Sequence, residues 1–209
     1  MGTFVLPLAE QYFTRRPSAR HRILEFVELL RGRTLRFRTD SNVFARAGID
    51  AGTRLLVDTL TIPAHGSLLD LGCGYGPIGL AIAATVEGAS VVMTDVNHRA
   101  TTLARKNARE NGIRVDIREG DLYEPVEGLS FDAIASNPPI RAGKGVVHAI
   151  VDGAPPHLRE GGSLWVVVRT KQGAPSLREK MDAVFGNAEV VALGGGFRVL
   201  RSVHLATLK

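Results

Sequence analysis

Hydrophobic and polar positions follow two rhythms along this chain. From Ser67 onward, short apolar runs suited to buried strands recur at Ser67–Leu71, Ser90–Thr94, Val115–Arg118, Phe131–Ser136 and Ser163–Val168. Between them apolar residues fall at helical spacing, which predicts helices over Pro77–Val86, His98–Asn111, Val146–Leu158 and Pro175–Phe185. Asn111-Gly112 is a helix stop, and Glu160-Gly161-Gly162 reads as a turn before the next strand. The chain closes with two strands, Ala188–Leu193 and Phe197–Ala206, joined through Gly194-Gly195-Gly196. A link that short requires an antiparallel pair. Strands alternating with helices imply an α/β fold, a doubly wound and mostly parallel sheet of seven strands whose last strand is antiparallel.

Upstream the pattern is irregular. Thr34–Thr39 alternates apolar and polar residues as a short strand does, and Gly48–Thr61 reads as a helix with Leu55, Leu56, Val57 and Leu60 on its apolar side. The expected organisation is a basic N-terminal extension with short strands, residues 1–47, followed by one compact unit, residues 48–209. No repeat, low-complexity tract or linker interrupts it.

Composition narrows the class. With 44% hydrophobic and 22% charged residues in 209, the chain has the make-up of an ordinary globular domain with a full core. No apolar run is long enough to span a bilayer, and Met1–Glu10 lacks the basic start of a signal peptide. A single cysteine, Cys73, excludes an intrachain disulfide framework, fits a reducing cytosol and suggests a cytoplasmic protein. The six histidines show no metal-ligand spacing, so no metal is expected. Cys73 and Trp165 read as core residues. Charge adds a location: residues 14–38 hold Arg15, Arg16, Arg20, Arg22, Arg31, Arg33, Arg36 and Arg38 against Glu25 and Glu28, a net +6 in a chain of +5. Such a local excess suits a polyanionic partner, or is simply a solvated arginine-rich face.

The candidate chemistry begins in Leu68-Leu69-Asp70-Leu71-Gly72-Cys73-Gly74-Tyr75-Gly76-Pro77-Ile78-Gly79, which joins the first strand of the sheet to a helix. Glycines there permit a tight turn and let a ligand reach the backbone, while Pro77 suits a first helical turn. Gly74, Gly76 and Gly79 also fit the dinucleotide spacing, with Asp95 where an acid would grip a ribose, so a nicotinamide oxidoreductase is an open alternative. Asp70 favours a different ligand. A carboxylate suits a ligand bearing an ammonium group and repels a pyrophosphate, although it can also cap the loop through backbone amides. Asp95 can accept from ribose hydroxyls or serve as a helix cap, and Asp121 can accept from an adenine amine or be a turn residue. All three follow consecutive parallel strands and so share one sheet edge, where ligands of such folds bind.

The fourth strand leads into Ser136-Asn137-Pro138-Pro139-Ile140, which alone would be no more than a rigid turn. Together with Asp70–Gly79, Asp95 and Asp121 it resembles the class I methyltransferases that modify exocyclic or amide nitrogens. Asp40-Ser41-Asn42-Val43-Phe44, Gly48-Ile49-Asp50 and Gly52-Thr53-Arg54-Leu55-Leu56 extend the resemblance to the small methyltransferase domain family, which includes the RsmC-like enzymes that methylate a guanine amine of small-subunit ribosomal RNA. It covers the chain from about Thr34 onward and implies a Rossmann-like fold with S-adenosylmethionine as cofactor. It implies a cofactor site of Asp70, Gly72, Gly74, Gly76, Asp95, Val96, Asp121, Leu122 and Asn137, and a catalytic turn of Asn137, Pro138, Pro139 and Ile140. RsmC itself carries an additional methyltransferase-like half, whereas 209 residues suit a single one, so the target of RsmC is not assumed for this chain.

The turn has a physical logic. The lone pair of an aromatic amine is delocalised into its ring, and two acceptors aimed at its hydrogens favour a pyramidal, more nucleophilic nitrogen. The Asn137 side-chain oxygen and the Pro138 carbonyl suit that task, and prolines keep them preorganised. Many members of the family carry an aromatic residue at the position of Ile140. Isoleucine covers a base without stacking on it, which turns the expectation from adenine in DNA toward guanine in RNA. A glutamine amide of a protein fits the same acceptor geometry and stays an alternative. An RNA substrate would be contacted by Arg46, Phe44, Arg141, Lys144, Arg169 and Lys171, continuing the arginines of residues 14–38 as a phosphate track. Tyr12, Phe13 and Phe44 suit stacking on bases, although core packing is the commoner fate of such aromatics.

Overall fold

Two sheets make up the computed structural model, which describes residues 23–40, 48–138 and 143–206. The smaller is an antiparallel hairpin, β1 (Ile23–Leu30) and β2 (Arg33–Asp40). The larger has seven strands in the order β5-β4-β3-β6-β7-β9-β8, comprising β3 (Ser67–Leu71), β4 (Ser90–Asp95), β5 (Asp116–Glu119), β6 (Phe131–Ser136), β7 (Leu158–Arg169), β8 (Glu189–Gly194) and β9 (Phe197–Val203). β3 to β7 run parallel, and β9 lies antiparallel between β7 and β8. The expected doubly wound sheet is therefore present, closed by a hairpin that turns on Gly195 and Gly196 with φ of 57° and 80°.

The helices are α1 (Ala51–Thr59), α2 (Pro77–Thr85), α3 (His98–Glu110), α4 (Gly143–Gly153) and α5 (Ala174–Phe185). The strand pleat divides the core into two layers. Leu68 belongs to a cluster with Leu56, Ile78, Leu80 and Ala104, whereas its neighbour Leu69 belongs to one with Ile134, Val151, Leu164 and Met181. Every residue of β3 is buried, which is why it reads as a mostly apolar run, with Ser67 at its start and Asp70 within it. Among the described residues no helix is long and apolar enough to cross a membrane.

Three expectations change. The helix placed at 146–158 spans Gly143–Gly153 instead, followed by a 3-10 turn at Pro155–His157, because two prolines cannot continue the backbone bonding of a helix. The strand placed at 163–168 starts at Leu158 and runs through the supposed turn. Gly161, with φ of 77°, and Gly162, where a Cβ would meet Arg159 O and Phe131 O at 2.9 Å, let β7 bulge against β6 rather than reverse.

The third change concerns the N-terminal region. A strand that the sequence pattern missed, β1, pairs along its whole length with β2. The boundary expected at 47/48 does not divide the core, since Leu30, Leu35 and Phe37 pack in the same cluster as Leu56 and Tyr75. Leu30 and Phe37 are wholly buried, each contributing roughly 1.5–3 kcal/mol of apolar transfer. Polar contacts fix the hairpin as well. Asn107 accepts from Arg38 N at 2.8 Å and donates to Arg38 O at 3.0 Å, while Asn111, one turn later on the helix, accepts from Arg36 N at 2.9 Å and donates to Arg36 O at 2.7 Å. Two carboxamides thus stand in for a third strand on the open edge of β2. In the hairpin turn, Arg31 bonds Val57 O at 2.9 Å and Leu60 O at 2.8 Å, carbonyls at the C-terminal end of α1. Glu28 accepts from Ile49 N and pairs with Arg54, near the other end of that helix. The hairpin consequently grips α1 at both ends.

Candidate active site

The carboxyl ends of β5, β4, β3 and β6 bring the sequence candidates into one row. Register pairs Leu71 with Thr94, Asp70 with Ala135 and Asp95 with Glu119, so the residues that follow these strands are neighbours. Ser136 Oγ donates to Leu71 O at 2.8 Å and ties the end of β6 to the start of the glycine loop. Gly72 and Gly74 hold φ of 75° and 57°, and a Cβ on either would meet nothing within 4 Å, so the loop borders open space. Gly76 is different: with φ of 98°, its Cβ would strike Met93 at 2.8 Å. There the glycine serves packing beneath the loop.

Asp70 is wholly buried. Its Oδ2 accepts from Gly79 N at 2.8 Å, the backbone role that the sequence left open, while its Oδ1 has no partner. Burial pushes its carboxyl up to about 7, against the pull of the Gly79 amide and with help from the nearby charge of Asp95. A buried carboxyl with one idle oxygen is a group that a cation would satisfy. Asp95 accepts from Gly74 N and from Asn97 N, both at 2.8 Å. Burial raises its pKa, and these two amides offset part of the rise. The cap of α3 is Asn97, whose side chain accepts from Arg99 N. Val96 is half-buried beside it, and Asp121 is exposed beyond β5. Leu122 holds φ of 44°, a left-handed conformation that costs a non-glycine residue energy and that gathers at ligand sites. Burial, with Asp95 and Asp70 close by, holds the Cys73 thiol neutral, which suits a packing residue and not a nucleophile.

On the other side of the loop sits Asn137. Its Nδ2 donates to Thr53 Oγ1 at 2.7 Å and lies 3.4 Å from Asp50 Oδ2, and among the described residues no donor reaches its Oδ1. Pro138 follows, half-buried. Asp50 and Thr53 entered the sequence reading only as part of a family string, although Asp-x-Gly-Thr at a helix start carries a legible signal. Asp50 caps α1, accepting from Gly52 N at 2.9 Å and Thr53 N at 3.0 Å. Gly52 is needed for space, since a Cβ would come within 2.6 Å of the Phe197 ring.

The expected RNA contacts divide. Lys144, Arg169 and Lys171 are exposed at the same sheet edge, with the Arg169 guanidinium 4.8 Å from the Phe197 ring centroid. Of the arginine cluster, Arg33 and Arg36 are exposed. Arg31 and Arg38 leave the track: Arg31 serves α1, and Arg38 pairs with Glu25 at 3.2 Å and Glu110 at 3.0 Å. Phe44, Arg46, Pro139, Ile140 and Arg141 lie outside the described residues, as do Tyr12, Phe13, Arg15, Arg16, Arg20 and Arg22.

A doubly wound sheet with an antiparallel β9, a glycine loop and a row of acids at its carboxyl edge defines the methyltransferase class of α/β proteins. Sequence comparison agrees, matching residues 34–201 to the family described as methyltransferase small domain. The chain belongs to the methyltransferase small-domain family, which decides for methyl transfer over the oxidoreductase that glycine spacing alone also allowed. Over 198 residues it is 41% identical to the uncharacterised protein YbxB of Bacillus subtilis, covering 93% of this chain and 98% of that one. It is 34% identical over 171 residues to ribosomal RNA small subunit methyltransferase C of Sodalis glossinidius, covering 80% of this chain but 48% of the relative. The chain thus spans about half the length of that second group of relatives. In fold it resembles the Thermus thermophilus 16S rRNA N2 G1207 methyltransferase RsmC, solved with AdoMet and guanosine, at a TM-score of 0.79 and 24% identity over 90% of this chain and 52% of that one.

Proposed function

We propose that this chain methylates the exocyclic amine of a guanine in RNA, ribosomal or otherwise structured, with S-adenosylmethionine as methyl donor. The observation that carries the reading is the Asn137 carboxamide at the end of β6. Its nitrogen is committed to Thr53, and its oxygen has no donor among the described residues. An oxygen so fixed beside an acid-rich ligand edge is the acceptor that an amino group needs. The similarity to guanine-modifying ribosomal RNA enzymes supports the substrate.

When bound, S-adenosylmethionine supplies an electrophilic methyl group on its sulfonium. The residues at the edge fit that molecule. Asp70, with a buried oxygen lacking a partner, meets its cationic methionine end. The open loop at Gly72 and Gly74 gives its backbone close approach, and Gly76 lets that loop pack down on Met93. Asp95 and Val96 take the ribose, and Asp121 and Leu122 the adenine. The target amine is held by Asn137 Oδ1 and the Pro138 carbonyl, with Pro139 stiffening the turn and Ile140 covering the base. The Asn137 acceptor is held by Thr53 before the substrate arrives, so it need not reorganise as positive charge develops on the nitrogen. The proton leaves afterwards, once the nitrogen has become acidic. A paired guanine hides its amine, so the target is unpaired or extruded. Lys144, Arg169 and Lys171, together with Arg46, Phe44 and Arg141, contact its phosphates and bases. Such a substrate places the enzyme in the cytoplasm.

The test is transfer from labelled S-adenosylmethionine to small-subunit ribosomal RNA transcribed without modifications, followed by nucleoside mass analysis. Label recovered in N2-methylguanosine is expected. Label recovered in adenine, or only in protein glutamine, would falsify the substrate assignment.

A further inference from the structure

Asn137 does not set its own direction. We propose that Asp50 and Thr53 are positioning residues for methyl transfer, which turn the Asn137 carboxamide so that its oxygen faces the amine and strengthen that oxygen as an acceptor. The proposal rests on the reading of Asn137 as the amine acceptor.

The directions of the hydrogen bonds form a chain. Thr53 Oγ1 lies 2.5 Å from Asp50 Oδ2, and a carboxylate can only accept, so the hydroxyl proton belongs to that bond. Thr53 Oγ1 is then left with lone pairs toward Asn137, 2.7 Å away. Only the amide NH2 can donate to them, and this orients Asn137 with Oδ1 pointing the opposite way. Thr53 is buried, with 3% exposure, so water does not substitute for it. The chain runs from amide through hydroxyl to an anion, and hydrogen bonds in such a series polarise one another. Donation from Nδ2 shifts electron density toward Oδ1. In the reaction, positive charge moves from sulfonium to the amine, so a more negative oxygen stabilises the transition state more than the ground state.

The two oxygens of Asp50 do separate jobs. Oδ1 caps α1, and Oδ2 receives Thr53 and faces Asn137. Asp50→Asn therefore separates helix capping from orientation: asparagine caps as well as aspartate, but its NH2 cannot accept the threonine proton. Thr53→Val removes the hydroxyl at nearly constant shape, and Thr53→Ser restores it.

The experiment uses the full chain, labelled S-adenosylmethionine and unmodified small-subunit ribosomal RNA transcript. Asp50→Asn and Thr53→Val are expected to lower kcat by roughly 10- to 100-fold. KM for RNA, cofactor Kd and Tm stay near wild type, and Thr53→Ser recovers the rate. Full kcat in Thr53→Val while Asn137→Ala is inactive overturns the positioning role and leaves the acceptor reading standing. Wild-type rates in Asn137→Ala overturn both. A second readout needs no RNA. In 15N-labelled protein the Asn137 side-chain NH2 signal is expected to move in Thr53→Val and Asp50→Asn and to stay in place in Thr53→Ser. A signal at the same position in all of them overturns the orientation.

Discussion

The two sides of the glycine loop are built differently. On the side of β4, each carboxylate is held by backbone amides no more than 21 residues away: Asp70 by Gly79, and Asp95 by Gly74 and Asn97. On the side of β6, Asn137 is held by side chains of α1, 84 and 87 residues earlier. The first arrangement comes with the loop and needs little else. The second depends on where α1 lies, hence on the hairpin that grips it. The contrast teaches that cofactor binding and amine binding in this fold answer to different parts of the chain, and each can be disturbed without the other.

The sharpest break between the two sides is Asn137→Ala. Loss of a preorganised acceptor of this type costs about 10²–10³ in kcat, or roughly 3–4 kcal/mol. Single-turnover transfer should show that loss while calorimetry finds cofactor affinity unchanged. Weakened cofactor binding of equal size would erase the distinction between the sides. Next in size is Asn107→Ala, which removes the side-chain bonds to Arg38 N, Arg38 O and Tyr75 O and should destabilise the fold by about 2–3 kcal/mol in urea titration. Hydrogen exchange should quicken most at Arg38, which the carboxamide protects directly, and less in β3, β4 and β6.

The cofactor side answers to pH. Folding raises the Asp70 carboxyl from 3.8 to about 7, so the folded chain holds a proton that the unfolded chain has released. The associated stability is complete below the unfolded value and is lost as pH rises through the folded one. Between about pH 5 and 7 this amounts to about 2 kcal/mol. Thermal melts should show the decline in the wild type and a flatter profile in Asp70→Asn, and a saturating cation-bearing ligand should reduce it. The smallest effect is Arg31→Ala. Freeing Val57 O and Leu60 O at the end of α1 should cost about 1 kcal/mol. The same change should lower transfer a few-fold through α1 without touching cofactor affinity.

These differences also explain what could be read in advance. The strands of the large sheet announce themselves because they are buried on both faces, and the loop acids because they follow strands in order. β1 was hidden by its own composition: Ile23, Val27 and Leu29 are 48%, 56% and 62% exposed, so apolar residues occupy both faces and no alternation shows. Arg31 and Arg38 looked like solvent charge because nothing local marks Leu60 or Glu110 as their partners. The direction of the Asn137 amide was illegible for the same reason. The Asn-Pro-Pro run suggests an acceptor, but the groups that aim it belong to a helix start known only after folding. Gly161 and Gly162 misled in the opposite sense, since glycines that permit a turn equally permit a bulge.

The asparagine pair on α3 has a consequence for how this protein meets copies of itself. A strand with unpaired backbone groups invites another chain to extend the ladder, which is the route to fibrous association. At Arg36 and Arg38 that invitation is withdrawn, because Asn111 and Asn107 already answer both the N–H and the C=O of each residue. The hairpin is sealed on this flank by two side chains, and a small sheet that stays apart from the main one is safe from recruitment there.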